Sequence, residues 1–284
     1  MKHPFVSVII PVWDHAEDLA ACLNALENQT YQKDRYEVIV IDNGSPLDLK
    51  FCTDYPQARL TFEKKPGSYA ARNKGISLSK GDVLAFTDAD CIPARDWIEK
   101  GTKVLHSKPN QGFIGGIVQT FTKKRPTLAE QYEFYMRLDQ KYFVEKQEFA
   151  MTANMFTFKH VMKKVGPFDG KMKSSGDLEW CNRVIKAGYL HAYSPETRVA
   201  HAARHTMSQL YSKERRIAGG LYDLRKRGLH FKKLTLQDKL NHIQSALLKS
   251  GNTFAPAILF ITLFLRSIRL LETLRLNLGG KPKR

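Results

Sequence analysis

Short β-branched runs alternate with amphipathic stretches through the first part of the chain. Val6-Ser7-Val8-Ile9-Ile10, stopped by Pro11, reads as a buried strand. Glu17 to Asn28 carries Leu19, Cys22, Leu23 and Leu26 at helical spacing. Tyr36 to Ile41 predicts a second strand, closed by the turn-forming Asp42-Asn43-Gly44-Ser45. Arg59 to Phe62 is a third, weaker strand, and Ser68 to Ser79 a helix. Asp82 to Phe86 predicts a fourth strand that runs into Thr87-Asp88-Ala89-Asp90. Near-continuous apolar strands separated by helices predict an α/β fold with a mostly parallel sheet covered by helices on both faces. Ligands of such sheets bind beyond the carboxyl ends of the strands. Pro11, Asp42, Asp88 and Asp90 all fall at such ends and can meet in one cleft.

The pattern then becomes mixed. Gly112 to Val118 and Met155 to Phe158 read as strands, Leu128 to Glu148 as helix-prone, and Asp177 to Ala187 as a helix closed by Gly188. No repeat is visible. With 284 residues, 43% of them hydrophobic and 26% charged, a disordered chain is excluded. Cys22, Cys52, Cys91 and Cys181 lack metal-ligand spacing and read as buried, reduced thiols. The N-terminus has no secretory pattern. The net charge is +17, and residues 201–284 hold 17 Lys/Arg against 4 Asp/Glu, or +13. Charge placed this way suits a polyanion, either nucleic acid or an anionic membrane.

Three acidic clusters carry candidate chemistry. Asp88 and Asp90, two residues apart after a buried strand, can hold one hard divalent cation that substrate phosphates complete; a solvated turn is the plainer alternative. Asp42 is either a turn former or an acceptor for a nucleobase N–H. Asp177 in Ser175-Gly176-Asp177-Leu178-Glu179 is either a helix N-cap or a general base, with Glu179 next in line.

Taken in order, VSVIIPVWDHAEDLAACLNALENQTY, YEVIVIDNGSP, PGSYAARNKGI, GDVLAFTDADC, FDG, SGDLEWCNRVIKAGY and VAH resemble the family 2 glycosyltransferases of GT-A fold across residues 5–205. The resemblance implies inverting, metal-dependent transfer of a sugar from a nucleoside diphosphate to a hydroxyl. It places Asp42 on the donor base, with backbone of Pro11 and Val12 beside it. Arg72 and Asn154 then lie on the nucleotide side, Asp88 on ribose and metal, Asp90 and His201 on Mn²⁺ or Mg²⁺, and Asp177 as catalytic base. Two positions depart from the family pattern: Gly176 stands where an acidic residue is usual, and Trp180 where Leu is usual. UDP is the default donor nucleotide, and the acceptor expected is a glycan or lipid-linked cell-surface precursor. A sugar-nucleotidyltransferase is the rival reading, but the Gly-rich phosphate loop expected of one is missing from Pro11-Val12-Trp13-Asp14.

The expected division is a catalytic domain over 1–205, with donor half 1–115 and acceptor half 116–205, and a basic helical extension over 206–284. Ser212 to Arg216 and Arg225 to Arg227 are either solvated helix face or polyanion contacts. The apolar stretch Phe254 to Leu265 is short of the about 20 residues that span a bilayer. Phe264, Ile268, Leu271, Leu274 and Leu278 continue at helical spacing, with Arg266 and Arg269 on another face. This predicts a helix lying in a membrane interface, with packing on protein as the alternative. The chain lacks helix-turn-helix, zinc and RNP signatures, so nucleic acid is not the expected partner. The expected location is cytoplasmic, peripheral on the membrane; the oligomeric state is left open.

Overall fold

A computed structural model describes residues 4–14, 16–122, 124–136, 139–229 and 235–282. The first three residues, on which part of the N-terminal reading rests, lie outside these, as do Arg137 and Leu138 inside the predicted 128–148 helix. The fold divides into two units.

The first unit comprises residues 1–118, 139–172 and 176–201. Four strands are parallel neighbours: β1 (Val6–Val12), β2 (Tyr36–Asp42), β3 (Ala58–Phe62) and β4 (Val83–Thr87). The others are β5 (Cys91–Pro93), β6 (Gln111–Phe121), β7 (Asn154–Phe158) and β8 (Leu190–Ala202). The sheet order is β3-β2-β1-β4-β7-β6-β8-β5. β7 runs antiparallel to β4 and β6, and β5 antiparallel to β8. The parallel half is as expected; the rest makes the sheet mixed.

Register fixes where the strands end. Val12 pairs with Asp42, and Ile9 with Phe86, so the residues after β1, β2 and β4 emerge at one edge. The helices of this part are α1 (Ala16–Glu27), α2 (Ser68–Leu78) and α3 (Trp97–Leu105). α2 lies close on the sheet: a Cβ at Gly75 would stand 2.7 Å from Ile9 Cγ2 and 2.8 Å from Ile41 Cδ1. On the other face, Val8, Ile10, Val38 and Val40 join Leu19, Leu23 and Leu26 of α1 in the main core.

Further along the chain come α4 (Leu128–Tyr135), α5 (Gln140–Gln147), α6 (Lys159–Val165) and α7 (Gly176–Lys186). Last are α8 (Met207–Lys226) and α9 (Leu236–Asn277). The second unit holds residues 119–138, 173–175 and 202–284, so it is more than the 206–284 extension read from sequence. The reason is apolar burial: Ala129 and Tyr132 of α4 pack with Leu210 of α8 and with Ile261 and Leu265 of α9.

α9 breaks at Gly251, whose φ of 69° suits glycine, rather than at Pro256, which falls in the first turns of the second segment, where a missing N–H costs little. That segment, Thr253–Asn277, is long and apolar enough by composition to cross a membrane. The 12-residue limit read from sequence is thereby corrected. One side of it is buried; the opposite side exposes Phe260 (69%), Leu263, Leu270, Leu271 and Leu274.

Five basic side chains of this unit are paired with its own carboxylates. Glu133 accepts from Arg204 (2.9 Å) and Lys213 (2.6 Å), Glu214 faces Arg269, and Glu272 holds Arg215 (2.8 Å) and Arg275 (2.6 Å). Lys213 and Arg215 of the 212–216 cluster are thus neither solvated face nor free polyanion contacts. Burial alone would raise the Glu133 carboxyl, but the Lys213 and Arg204 cations and their hydrogen bonds bring it down to about 2. A carboxyl with a lowered folded value stabilises above its unfolded value and loses that contribution as pH falls toward the folded one. Denaturant unfolding followed by circular dichroism should therefore show stability declining from about pH 4.5 to about pH 2. Glu133→Gln should flatten that decline and cost roughly 3–5 kcal/mol at neutral pH, because two buried cations lose their partner.

Candidate active site

The turn after β2 organises the entry to α2. Asp42 Oδ1 accepts the backbone N–H groups of Gly44 (3.0 Å) and Ser45 (2.7 Å), so this oxygen serves the turn. Asn43 donates to the carbonyls of Glu63 and Lys65 and accepts the Gly67 N–H at 2.7 Å. Gly67, at φ 125°, then releases the chain into α2. The Val12 carbonyl accepts the Asn43 N–H, and Pro11 is half-buried beside it.

α2 presents Tyr69, Arg72 and Asn73. Arg72 is buried and donates to Asp88 Oδ1; its Nε has no hydrogen-bond partner among the described residues. Asn73 clamps the loop before α7 by accepting the Phe168 N–H and donating to the Phe168 carbonyl. The ARNKG and FDG motifs, 95 positions apart, are thereby one piece.

Asp177 lies in the first turn of α7. Its Oδ1 accepts the adjacent Leu178 N–H at 2.9 Å and the Tyr69 hydroxyl at 3.2 Å. An N-cap would accept from two or three residues on, so the capping alternative does not hold. Burial raises the Asp177 carboxyl above the ordinary range, while the Leu178 N–H, the Arg72 charge and the Tyr69 hydroxyl work against the rise. Glu179 is committed elsewhere: it takes two hydrogen bonds from Arg183, which also holds the carbonyls of residues 165–167.

β5 and β8 bring the remaining pair together. Cys91 registers with His201, which sets His201 Nε2 3.2 Å from Asp90 Oδ2. The Asp90 carboxylate suits Mn²⁺ or Mg²⁺ with the shell completed by phosphate and water, and an imidazole beside it suits a transition metal such as Mn²⁺ better than Mg²⁺. Asp88 does not complete a trio, being paired with Arg72, and the described residues contain no group of three or more His, Cys, Asp or Glu side chains placed to hold a metal.

One expectation fails. Asn154 is fully buried, accepts from Trp97 Nε1 and donates to the carbonyls of Ile117 and Thr197. Its amide is spent on tying β7 to α3, β6 and β8. Two residues were missed. Trp13, 65% exposed just past β1, offers a free aromatic face at the strand ends; its only sequence signal is an apolar ring directly after a strand-ending Pro-Val. Tyr69 carried no signal at all, since its partner Asp177 is 108 positions away. The four cysteines are free and buried, as expected.

A family model described as glycosyl transferase family 2 matches residues 7–166. The chain is 39% identical over 223 residues to glycosyltransferase AglE of Haloferax volcanii, covering 76% of this chain and 73% of that one. The chain belongs to glycosyltransferase family 2. This glycosyltransferase is also 22% identical over 201 residues, 65% of its length and 63% of the relative's, to a protein of Methanococcus voltae. That relative is named dolichyl N-acetyl-alpha-D-glucosaminyl phosphate 3-beta-D-2,3-diacetamido-2,3-dideoxy-beta-D-glucuronosyltransferase. In fold it is similar to the mannosyltransferase PcManGT of Pyrobaculum calidifontis, solved with GDP-Man and Mn²⁺. The TM-score is 0.64 at 19% identity, over 94% of this chain and 76% of that one. The fold of this glycosyltransferase is accordingly GT-A.

Proposed function

We propose that this glycosyltransferase moves a sugar from a nucleoside diphosphate to a hydroxyl acceptor in one inverting displacement, with Asp177 as general base. The observation that carries the reading is that Arg72 pairs with Asp88 and its charge also acts on Asp177. One cation thereby ties the donor-side carboxylate to the base. Asp42 and the backbone of Pro11 and Val12 bind the nucleotide base, with Trp13 as an aromatic wall. Asp88, held by Arg72, addresses the ribose.

Asp90 and His201 would hold Mn²⁺ or Mg²⁺, which when bound would supply positive charge against the leaving diphosphate. Asp177 takes the acceptor proton as the hydroxyl attacks; its raised carboxyl suits proton transfer near neutral pH better than an ordinary Asp does. One displacement needs one base and no second nucleophilic carboxylate. UDP-sugars are the first donors to test, and GDP-mannose the second because the similar solved structure holds it. A lipid-linked saccharide is the proposed acceptor, in keeping with the name of the Methanococcus relative.

Asp177→Asn keeps the shape of the side chain and removes its basicity. Donor affinity by calorimetry should stay within about twofold while transfer falls about a hundredfold or more. In the unaltered enzyme the acid limb of kcat should lie above the ordinary Asp value of about 3.9, because activity needs the deprotonated form and burial raises its pKa. Near-normal transfer by the variant would remove Asp177 from the chemistry.

We also place the enzyme at the cytoplasmic face of a membrane, attached through the outward side of α9. A lipid surface suits a stripe whose large side chains are apolar, on a region of net charge +13. Phe260→Ser with Leu271→Ser leaves the buried side of α9 intact. The wild-type protein should sediment with phosphatidylglycerol vesicles, in part even at high salt, since apolar insertion is not screened; the double variant should not. Wild-type protein that ignores vesicles and runs as a dimer would assign the stripe to a second copy instead.

A further inference from the structure

We infer that Tyr69 is a positioning residue for Asp177, and that position 176 is glycine so that the Tyr69 ring can reach it. This rests on the reading of Asp177 as the base.

Gly176 and Trp180, the two departures from the family pattern, meet at one aromatic group. The Tyr69 ring is buried. It lies 5.6 Å from Phe168, centroid to centroid, and the Arg72 guanidinium stands over it at 5.6 Å. Phe168 in turn meets Trp180 at 5.5 Å and Phe86 at 5.4 Å. Trp180 is fixed by its Nε1–H, which donates to the Gly166 carbonyl at 3.0 Å. A Cβ at Gly176 would fall 2.8–2.9 Å from three carbons of the Tyr69 ring, closer than such carbons approach. An acidic side chain at 176 and a tyrosine at 69 therefore exclude each other. Trp180 reaches the ring through Phe168, which contacts both. Glycine at 176 leaves room for the Tyr69 ring, and the ring aims a phenol hydroxyl at Asp177.

The hydroxyl and the Leu178 N–H both donate to Oδ1 of Asp177. Two donors on one oxygen fix the rotation of the carboxylate and favour its charged form. The other groups facing it are Arg72 from α2, the Thr152 backbone before β7, and Cys181 one turn along α7. Burial, and then the Asp177 charge, push the Tyr69 phenol well up, so it keeps its proton through the working pH range and serves as a donor only.

Tyr69→Phe retains the ring and deletes the hydroxyl. With melting temperature unchanged, kcat should fall about tenfold and the acid limb of its pH profile should rise by about one unit, donor KM staying within about twofold. A purely structural tyrosine would leave the limb where it is, and an unshifted limb overturns the proposal. A double-mutant cycle supplies the steric half. Gly176→Ala should depress kcat strongly in the wild-type background and little in Tyr69→Leu; additive losses would mean that the ring does not dictate the glycine. Asp177→Asn separates the two claims. If it transfers normally the base assignment fails; if it is inactive while Tyr69→Phe leaves the limb unmoved, only the positioning role fails.

Discussion

A buried guanidinium cannot be left alone, and the catalytic unit is arranged around the need to answer the charge of Arg72. Ordinary cores exclude such a group because desolvation costs several kcal/mol unless carboxylates compensate it. Here Asp88 accepts from it directly and Asp177 lies within reach of its field. Those carboxylates come from the end of β4 and the start of α7, and α2 supplies the cation. Three elements distant in sequence are held to one geometry because moving any of them strands a charge. The same arrangement fixes the orientation of the Asp88 carboxylate before any ligand is bound.

Around this pair the fold supplies placement. Parallel register among β1, β2 and β4 delivers Val12, Asp42 and Asp88 to one edge. The antiparallel pairing of β5 with β8 adds His201 beside Asp90. Asn43 and Asn73 act as clamps through backbone contacts, one fixing where α2 starts and the other where the loop before α7 runs. Both asparagines act through backbone groups alone, Asn43 on the chain entering α2 and Asn73 on the loop before α7.

β1, β2 and β4 were legible because they are near-continuous apolar runs, although β1 runs through Pro11 to Val12 rather than stopping at the proline. β8 was not, since Pro195 and a run of polar residues interrupt the pattern although the strand spans Leu190–Ala202. Asp88, Asp90, His201 and Asp177 were singled out by motif order, which marks residue types at strand ends but not who pairs with whom. Asn154 shows the limit of that approach: an amide next to the motifs belongs to the sheet, because its partners Trp97 and Thr197 are invisible locally. Tyr69 shows the converse. The pairing of Arg204 and Lys213 with Glu133, and of Arg215 and Arg275 with Glu272, is likewise a tertiary fact that composition cannot carry.

The proposed reaction is a single displacement, with one carboxylate acting as base and none as nucleophile. Stereochemistry at the anomeric carbon reads this directly, because one displacement inverts the centre and two restore it. Proton NMR of the first product formed from an α-linked nucleotide sugar should show a large axial–axial coupling at the anomeric position for a gluco-configured sugar, the mark of a β-linkage. A small coupling, with the α-configuration kept from the start of turnover, would contradict the account.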